Sequence, residues 1–488
     1  MTSAASTPAT TTTTDHRDVL RAAPEARDVT LTLTEGAVPK ELRGTLLRNG
    51  PGVQRAGETP VHFLDGYGFV AIARFEEGRV TFHAREVDLP LARKERAAGK
   101  LLARRPFTNR PGGRLANLFR LALSTGAAHD VYAWGGAIIA SDIDGHYLLD
   151  PQTLDTKGPA PLNTRGGGMV QMSAMPRPDA FTGNLVAWAA KPGIVGADTV
   201  TFYELDAQWQ EKARVTRSLG AKGVGLHDHT STENHYVAAQ FGRFDVGALA
   251  SGAGVALDSV RLPDGASGIV LVPRRGDGPI RRIPLGEKMQ LFHIANAYEE
   301  SGKFVADGAV YEGGLDFRPL NAPEMTYDES SVAPARGPFF TRFTLDLATG
   351  AHTVDIRREA RGEAGTVRGD RHGRRHRFAW VSAPGTRGDE PFENAYYWYH
   401  AIGKIDCDAG TTADLWDAGS RVFVSAPQVV ARGEAEDDAW VLAWTHDAAQ
   451  KRGELVILDA ADLARGPVAR LALPAPLPAA SHVDWLPG

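Results

Sequence analysis

From about Val29 to the C-terminus, apolar and polar positions alternate in short runs, each broken by Gly, Pro, Asp or Asn. Thr45-Leu-Leu-Arg-Asn leads into Gly50-Pro-Gly, and Ala133-Trp-Gly-Gly-Ala-Ile-Ile-Ala-Ser is followed by Asp144-Gly. Phe340-Thr-Arg-Phe-Thr-Leu-Asp-Leu runs into Ala348-Thr-Gly, and Glu454-Leu-Val-Ile-Leu-Asp-Ala closes near the end. A period of two with this punctuation predicts β-strands joined by tight turns, in a sandwich or a propeller. Several runs share one form: an apolar strand, an Asp, then Ala-Thr-Gly or Pro-Gln-Thr. Tyr147 to Thr153, Phe343 to Gly350 and Ile405 to Gly410 are examples. That weak repeat favours propeller blades.

One stretch departs from the pattern. Leu91 to about Leu123 reads as helix, with Leu115, Leu118, Phe119 and Ala122 at helical spacing among dense Arg and Lys. It predicts a helical insertion that caps the β domain. A basic amphipathic helix also suits a peripheral membrane contact. Residues 1–28, rich in Ser, Thr and Ala near the start, are expected to form a disordered tail, leaving 29–488 as one domain.

Composition narrows the function. The chain has 488 residues, 43% of them hydrophobic, and a net charge of −5, which argues against bulk nucleic-acid binding. Its single cysteine, Cys407, excludes an internal disulfide framework and fits a reducing cytoplasm. No stretch approaches the ~20 apolar residues of a spanning helix. Three histidines stand out: His227 in Gly-Leu-His-Asp-His-Thr, His293 in Leu-Phe-His-Ile-Ala-Asn, and His482 in Ser-His-Val-Asp-Trp. Each lies in a predicted strand or strand end. Far apart in sequence, they would meet only in a closed fold. Imidazoles gathered without cysteine suit a non-haem iron centre better than a zinc knuckle.

These segments resemble the carotenoid cleavage oxygenases, which include apocarotenoid and lignostilbene oxygenases. Leu42-Arg-Gly-Thr-Leu-Leu-Arg-Asn-Gly-Pro-Gly, His62-Phe-Leu-Asp-Gly-Tyr-Gly and Tyr147-Leu-Leu-Asp-Pro-Gln-Thr-Leu-Asp-Thr look like further signatures of that family. The resemblance runs from about Val38 to Gly488. It implies an all-β, seven-bladed propeller with Fe(II) on its axis, under a helical cap that forms an apolar tunnel. It implies His227, His293 and His482 as three of four iron ligands. Glu363 and Asp142 would be carboxylates that orient them, Asp142 being one methylene shorter than the usual Glu.

The same comparison exposes an incomplete metal shell. The fourth imidazole is expected in Ser173-Ala-Met-Pro-Arg-Pro-Asp, where the chain carries Met175. A thioether is a soft ligand with little preference for Fe(II). Ser420 stands where a third carboxylate is expected. His129, His146 and His229 are the alternatives for a fourth ligand if the alignment slips.

The reading is a non-haem Fe(II) dioxygenase that cleaves or isomerises a C=C bond of a carotenoid-like or other apolar conjugated substrate, with O2. The alternative is an altered or metal-free member that binds a polyene or isoprenoid, or performs a different reaction. A stilbene substrate is disfavoured, because Ala133 to Ala140 has no Lys to grip a phenol. Gly166-Gly-Gly-Met reads as a turn. Arg368 to Arg377, with five Arg in ten residues, reads as a solvated rim. Asp228, Glu233, Asn296 and Glu299 read as groups that lock blades. Tyr396 to His400 reads as tunnel lining or ordinary core.

Overall fold

A computed structural model describes residues 23–165, 171–193, 195–314, 336–387, 390–391, 399–478 and 482–488. Most of the expected tail, the Gly166 turn and Tyr396 to Trp398 lie outside them.

Seven antiparallel sheets are arranged as the blades of a propeller. Blade 1 holds Ala26–Thr30, Arg79–Glu86, Tyr67–Glu76 and Gly44–Asn49, and its innermost strand is the C-terminal His482–Pro487. Blades 2 to 6 begin at their inner strands with Asp130–Trp134, Gln171–Met172 with Arg177–Pro178, Val224–Ser231, Met289–Glu300 and Glu363–Thr366. Blade 7 runs from Val422–Val424 and Gln428–Ala431 outward to Ala469–Ala472, and ends on Thr32–Gly36 from the start of the chain. Chain start and chain end therefore interlock in two blades. The paired strand Ala26–Thr30 falls partly inside the expected tail, so the β domain begins at least three residues before Val29.

The core follows the blades. Leu47, Val70, Val131 and Ile138 pack between blades 1 and 2, and Tyr132, Ile139, Leu185 and Ala187 between blades 2 and 3. Leu226, Phe202 and Tyr236 join blades 3 and 4, and Val237, Ile269, Leu291 and Phe304 join blades 4 and 5. Comparable clusters fill the last three joints. Each large apolar side chain buried there contributes about 1.5–3 kcal/mol. Burial also explains the pattern of the strands. The edge strand Glu211–Ser218 alternates between exposed and half-buried, whereas Ala439–Asp447 is buried throughout.

The repeated Asp is a turn device. Asp346 accepts hydrogen bonds from the amides of Ala348 and Thr349, and Gly350 closes the turn at φ +78°. Asp150 and Asp406 serve their turns in the same way. The expected long helix is a correction. Pro90–Ala98 and Gly113–Asn117 are helical, but the segment between them is not, and Phe119 turns away at φ +55°. Gly99 in the left-handed conformation ends the first helix, and Pro111-Gly-Gly prevents continuation. Helix also occurs outside the insertion, at Val246–Ser251. No helix among the described residues is long and apolar enough to cross a membrane.

Candidate metal centre

Four imidazoles close a ring on the propeller axis. His482 heads the inner strand of blade 1, and His129 immediately precedes that of blade 2. His227 and His293 lie within those of blades 4 and 5. Ring centres stand 5.0 Å apart for His129 and His227, 5.0 Å for His227 and His293, 5.0 Å for His293 and His482, and 4.9 Å for His482 and His129. The Nε2 atoms of His227 and His293 are 3.2 Å apart. His293 is buried and the other three are half-buried, which leaves part of the ring set uncovered.

The strands are held so that these rings stay in place. Asp228, next to His227, accepts from Ile294 N–H at 2.8 Å and so ties blade 4 to blade 5. Its other oxygen accepts from His229 N–H and from the Arg177 guanidinium. Arg177 holds the buried Asp228 carboxylate below its usual range, although burial alone would raise it. Asn49, opposite His482 in blade 1, donates its side-chain amide to Ala127 O and Asp130 O, both at 2.8 Å. One side chain therefore sets His482 and the turn carrying His129 relative to each other.

Glu363 Oε1 accepts from His293 Nδ1 at 2.6 Å and from Ala364 N–H at 3.1 Å. A carboxylate at Nδ1 favours the proton on that nitrogen, which makes Nε2 the atom that would donate a lone pair to a metal. Burial works against a charged His293, but the Glu363 carboxylate outweighs it and raises the imidazole above its usual value. The other three move the opposite way. Burial, then neighbouring imidazoles, pushes His129 down to about 3, and His227 and His482 well below the ordinary value. Neutral rings are the form that donates to a metal.

Asp142 differs from its expected role. Its carboxylate accepts from Ala128 N–H at 3.1 Å and from Ile143 N–H at 2.8 Å, so it fixes the turn before His129 and not one of the three expected imidazoles. Met175 is fully buried, in the gap between the two short inner strands of blade 3. Ser420 lies half-buried on the turn before Val422–Val424. Of the three alternative histidines, His146 faces Tyr132 Oη at 3.4 Å, and His229 sits between Ser173 Oγ and Val186 O, each at 3.1 Å. Only His129 reaches the ring. Its one signal in the sequence is the His-Asp pair that it shares with His227.

Beside the ring stands an aromatic wall. Phe292 and Phe241 approach His227 at 5.2 and 6.2 Å, and Phe241 stacks on Phe292 at 5.6 Å. Tyr311 completes this buried cluster, with Leu64 and Phe107 packed on it from segments outside the blades. Tyr311 and Tyr399 share a hydrogen bond of 3.1 Å, which places Tyr399 of the aromatic run behind the wall.

The remaining features are structural. Asn296 binds Arg371 O, Arg374 O and Gly373 N–H, locking the Arg-rich loop onto blade 5. Arg368 is buried and donates to the carbonyls of Gly433 and Ala435, so that loop is a clamp to blade 7 and not merely a solvated rim. Glu299 accepts from Thr232, Asn234 and His235, while Glu233 is exposed.

The donor set around the ring centre fits a metal such as iron. It is all nitrogen, and the buried Nε2 of His129 has no hydrogen-bond partner. Comparison with known proteins agrees in fold and family. The chain is 32% identical to apocarotenoid-15,15'-oxygenase of Synechocystis sp., over 95% of this chain and 94% of the relative. It is 28% identical to isoeugenol monooxygenase of Pseudomonas putida, over 92% and 93%. The crystal structure of cobalt-substituted Synechocystis apocarotenoid oxygenase superposes with a TM-score of 0.86 at 30% identity, covering 98% of this chain and 99% of the other. Residues 20–487 match the family described as retinal pigment epithelial membrane protein. The chain therefore belongs to that family, the carotenoid cleavage oxygenases.

Proposed function

We propose that this protein is a non-haem Fe(II) dioxygenase that cleaves a C=C bond of a carotenoid-derived polyene. The observation that carries the reading is the ring of four imidazoles on the propeller axis beside an aromatic wall. The overall change is an alkene plus O2 giving two carbonyl products, with no other reductant. Bound Fe(II) would supply the one-electron chemistry that O2 needs to react with a closed-shell alkene. His227, His293 and His482 would hold it, and Glu363 keeps His293 in the donating tautomer.

The chain's own residues then position the substrate. Phe241, Phe292 and Tyr311 offer flat faces to a conjugated chain and exclude water from it. The reaction requires no acid or base. All-nitrogen ligation leaves no negative donor in the ring, and the Glu363 carboxylate is tied to His293.

A peripheral membrane contact belongs to the same proposal, since such substrates dissolve in lipid. Leu115 is 84% and Phe119 76% exposed, with Val246 on the adjoining helix also exposed and Arg114 and Arg120 alongside. Apolar tips flanked by cations suit an anionic lipid surface.

Two measurements test the function: iron content of protein purified without added metal, and product analysis with an apocarotenal under O2. Near-stoichiometric iron and paired carbonyl fragments are expected. Iron-free protein with no cleavage would overturn the proposal and leave metal-free polyene binding. Turnover of isoeugenol alone would move the substrate to alkenyl phenols.

A further inference from the structure

We infer that His129 is the fourth metal ligand of this chain, and that the ligand has moved from blade 3 to blade 2. The inference rests on the metal reading above and adds to it. Blades 1, 2, 4 and 5 each bring an imidazole to the axis, while the matching gap in the inner strand of blade 3 carries the buried Met175. A thioether there gives no nitrogen donor. His129 closes the ring that His227, His293 and His482 leave open on that side.

The distances are those of ligands about one metal. Two nitrogens each ~2.1 Å from one ion lie about 3.0 Å apart at right angles and about 3.4 Å apart at the tetrahedral angle. The observed Nε2 separation of His227 and His293 is 3.2 Å. On the same basis, imidazole centres fall about 4.6 to 5.3 Å apart. All four sides of the ring lie within that range. His129, His293 and His482 also offer ring nitrogens within 4.8 Å of one another.

His129 is built into place. Its own N–H donates to Ser141 O at 3.1 Å. Asp142 takes the preceding N–H of Ala128, and Asn49 takes the carbonyls of Ala127 and Asp130. The backbone is thus fixed on both sides of the residue, while its buried Nε2 has no partner. His229, by contrast, uses both ring nitrogens in hydrogen bonds, and His146, whose Nε2 is also unpartnered, lies away from the ring. Asp142 becomes a positioning residue for His129, acting through the backbone.

X-ray absorption of the Fe(II)-loaded wild type counts the imidazoles directly and needs no variant. Four are expected. Chelator competition on His129→Ala, with folding checked by near-ultraviolet circular dichroism, gives a second reading. Loss of one outer partner of a ligand already costs roughly 10- to 100-fold in metal affinity, so loss of His129 should cost more than about 100-fold. A three-imidazole centre in the wild type, or a folded His129→Ala with unchanged affinity, overturns this inference and leaves the function standing. Wild type that binds no Fe(II) overturns both.

Discussion

Glu363 governs how His293 meets a metal, and its second oxygen is buried without a hydrogen-bond partner, so its hold on the imidazole passes through Oε1 alone. Glu363→Gln should lower iron affinity by roughly 10- to 100-fold, measured by chelator competition. An unchanged titration would reduce Glu363 to packing. Met175→His should change little alone, because His129 already fills the ring, but in a His129→Ala background it should recover part of the lost affinity. No recovery in a folded double variant would show that blade 3 cannot reach the centre. These residues also show what the sequence made legible. His227, His293, His482 and Glu363 lie in strands whose apolar flanks set their direction. His129 lies in a turn, Ala-Ala-His-Asp, whose geometry depends on Asn49 and Asp142 from other strands, so the His-Asp pair made it an alternative but could not single it out. Asp142 was legible as a carboxylate near the site. Its target was not, because a shorter side chain finds a backbone amide.

Asp65 supplies a pH test away from the ring. Burial pushes its carboxyl up to about 7, against the opposing pull of the Thr108 hydroxyl and Arg105. The folded state then holds a proton that the unfolded chain releases near pH 4, so stability falls as pH rises from about 4 to 7. Asp65→Asn should flatten that stretch of the profile. Guanidinium midpoints at pH 5 and pH 7.5 would show it, and equal slopes for variant and wild type would refute it.

Strands and turns were readable because each obeys local rules: alternation on edge strands, continuous apolarity inside, and Asp-plus-Gly turns at the hairpins. The insertion was misread because helical spacing of Leu115, Leu118 and Phe119 outweighed the Pro111-Gly-Gly break. Leu115 and Phe119 are exposed and Leu118 is only half-buried, so the spacing does not mark a buried helix face. Leu115→Ser with Phe119→Ser should reduce flotation with anionic phosphatidylserine vesicles by several-fold and leave the fold intact. Equal flotation would end the membrane proposal.

The whole molecule has seven interfaces and no single centre, so loss of one blade contact propagates only through its neighbours. The exception is the joint where the chain ends. His482–Pro487 pairs with Gly44–Asn49 across six residue pairs, and His482 is the first residue of that strand. The segment that shuts the ring of blades is thus also a ligand arm, and any ion held by it is a clasp between the two ends of the polypeptide. Occupancy then opposes unzipping by RT ln(1 + [metal]/Kd), about 2.7 kcal/mol at a hundredfold excess over Kd. Under the metal proposal, protein stripped of its ion should fray first at this strand, read as faster amide exchange in His482–Pro487. A single cut before His482 would take away the proposed ligand and the strand that closes blade 1 together.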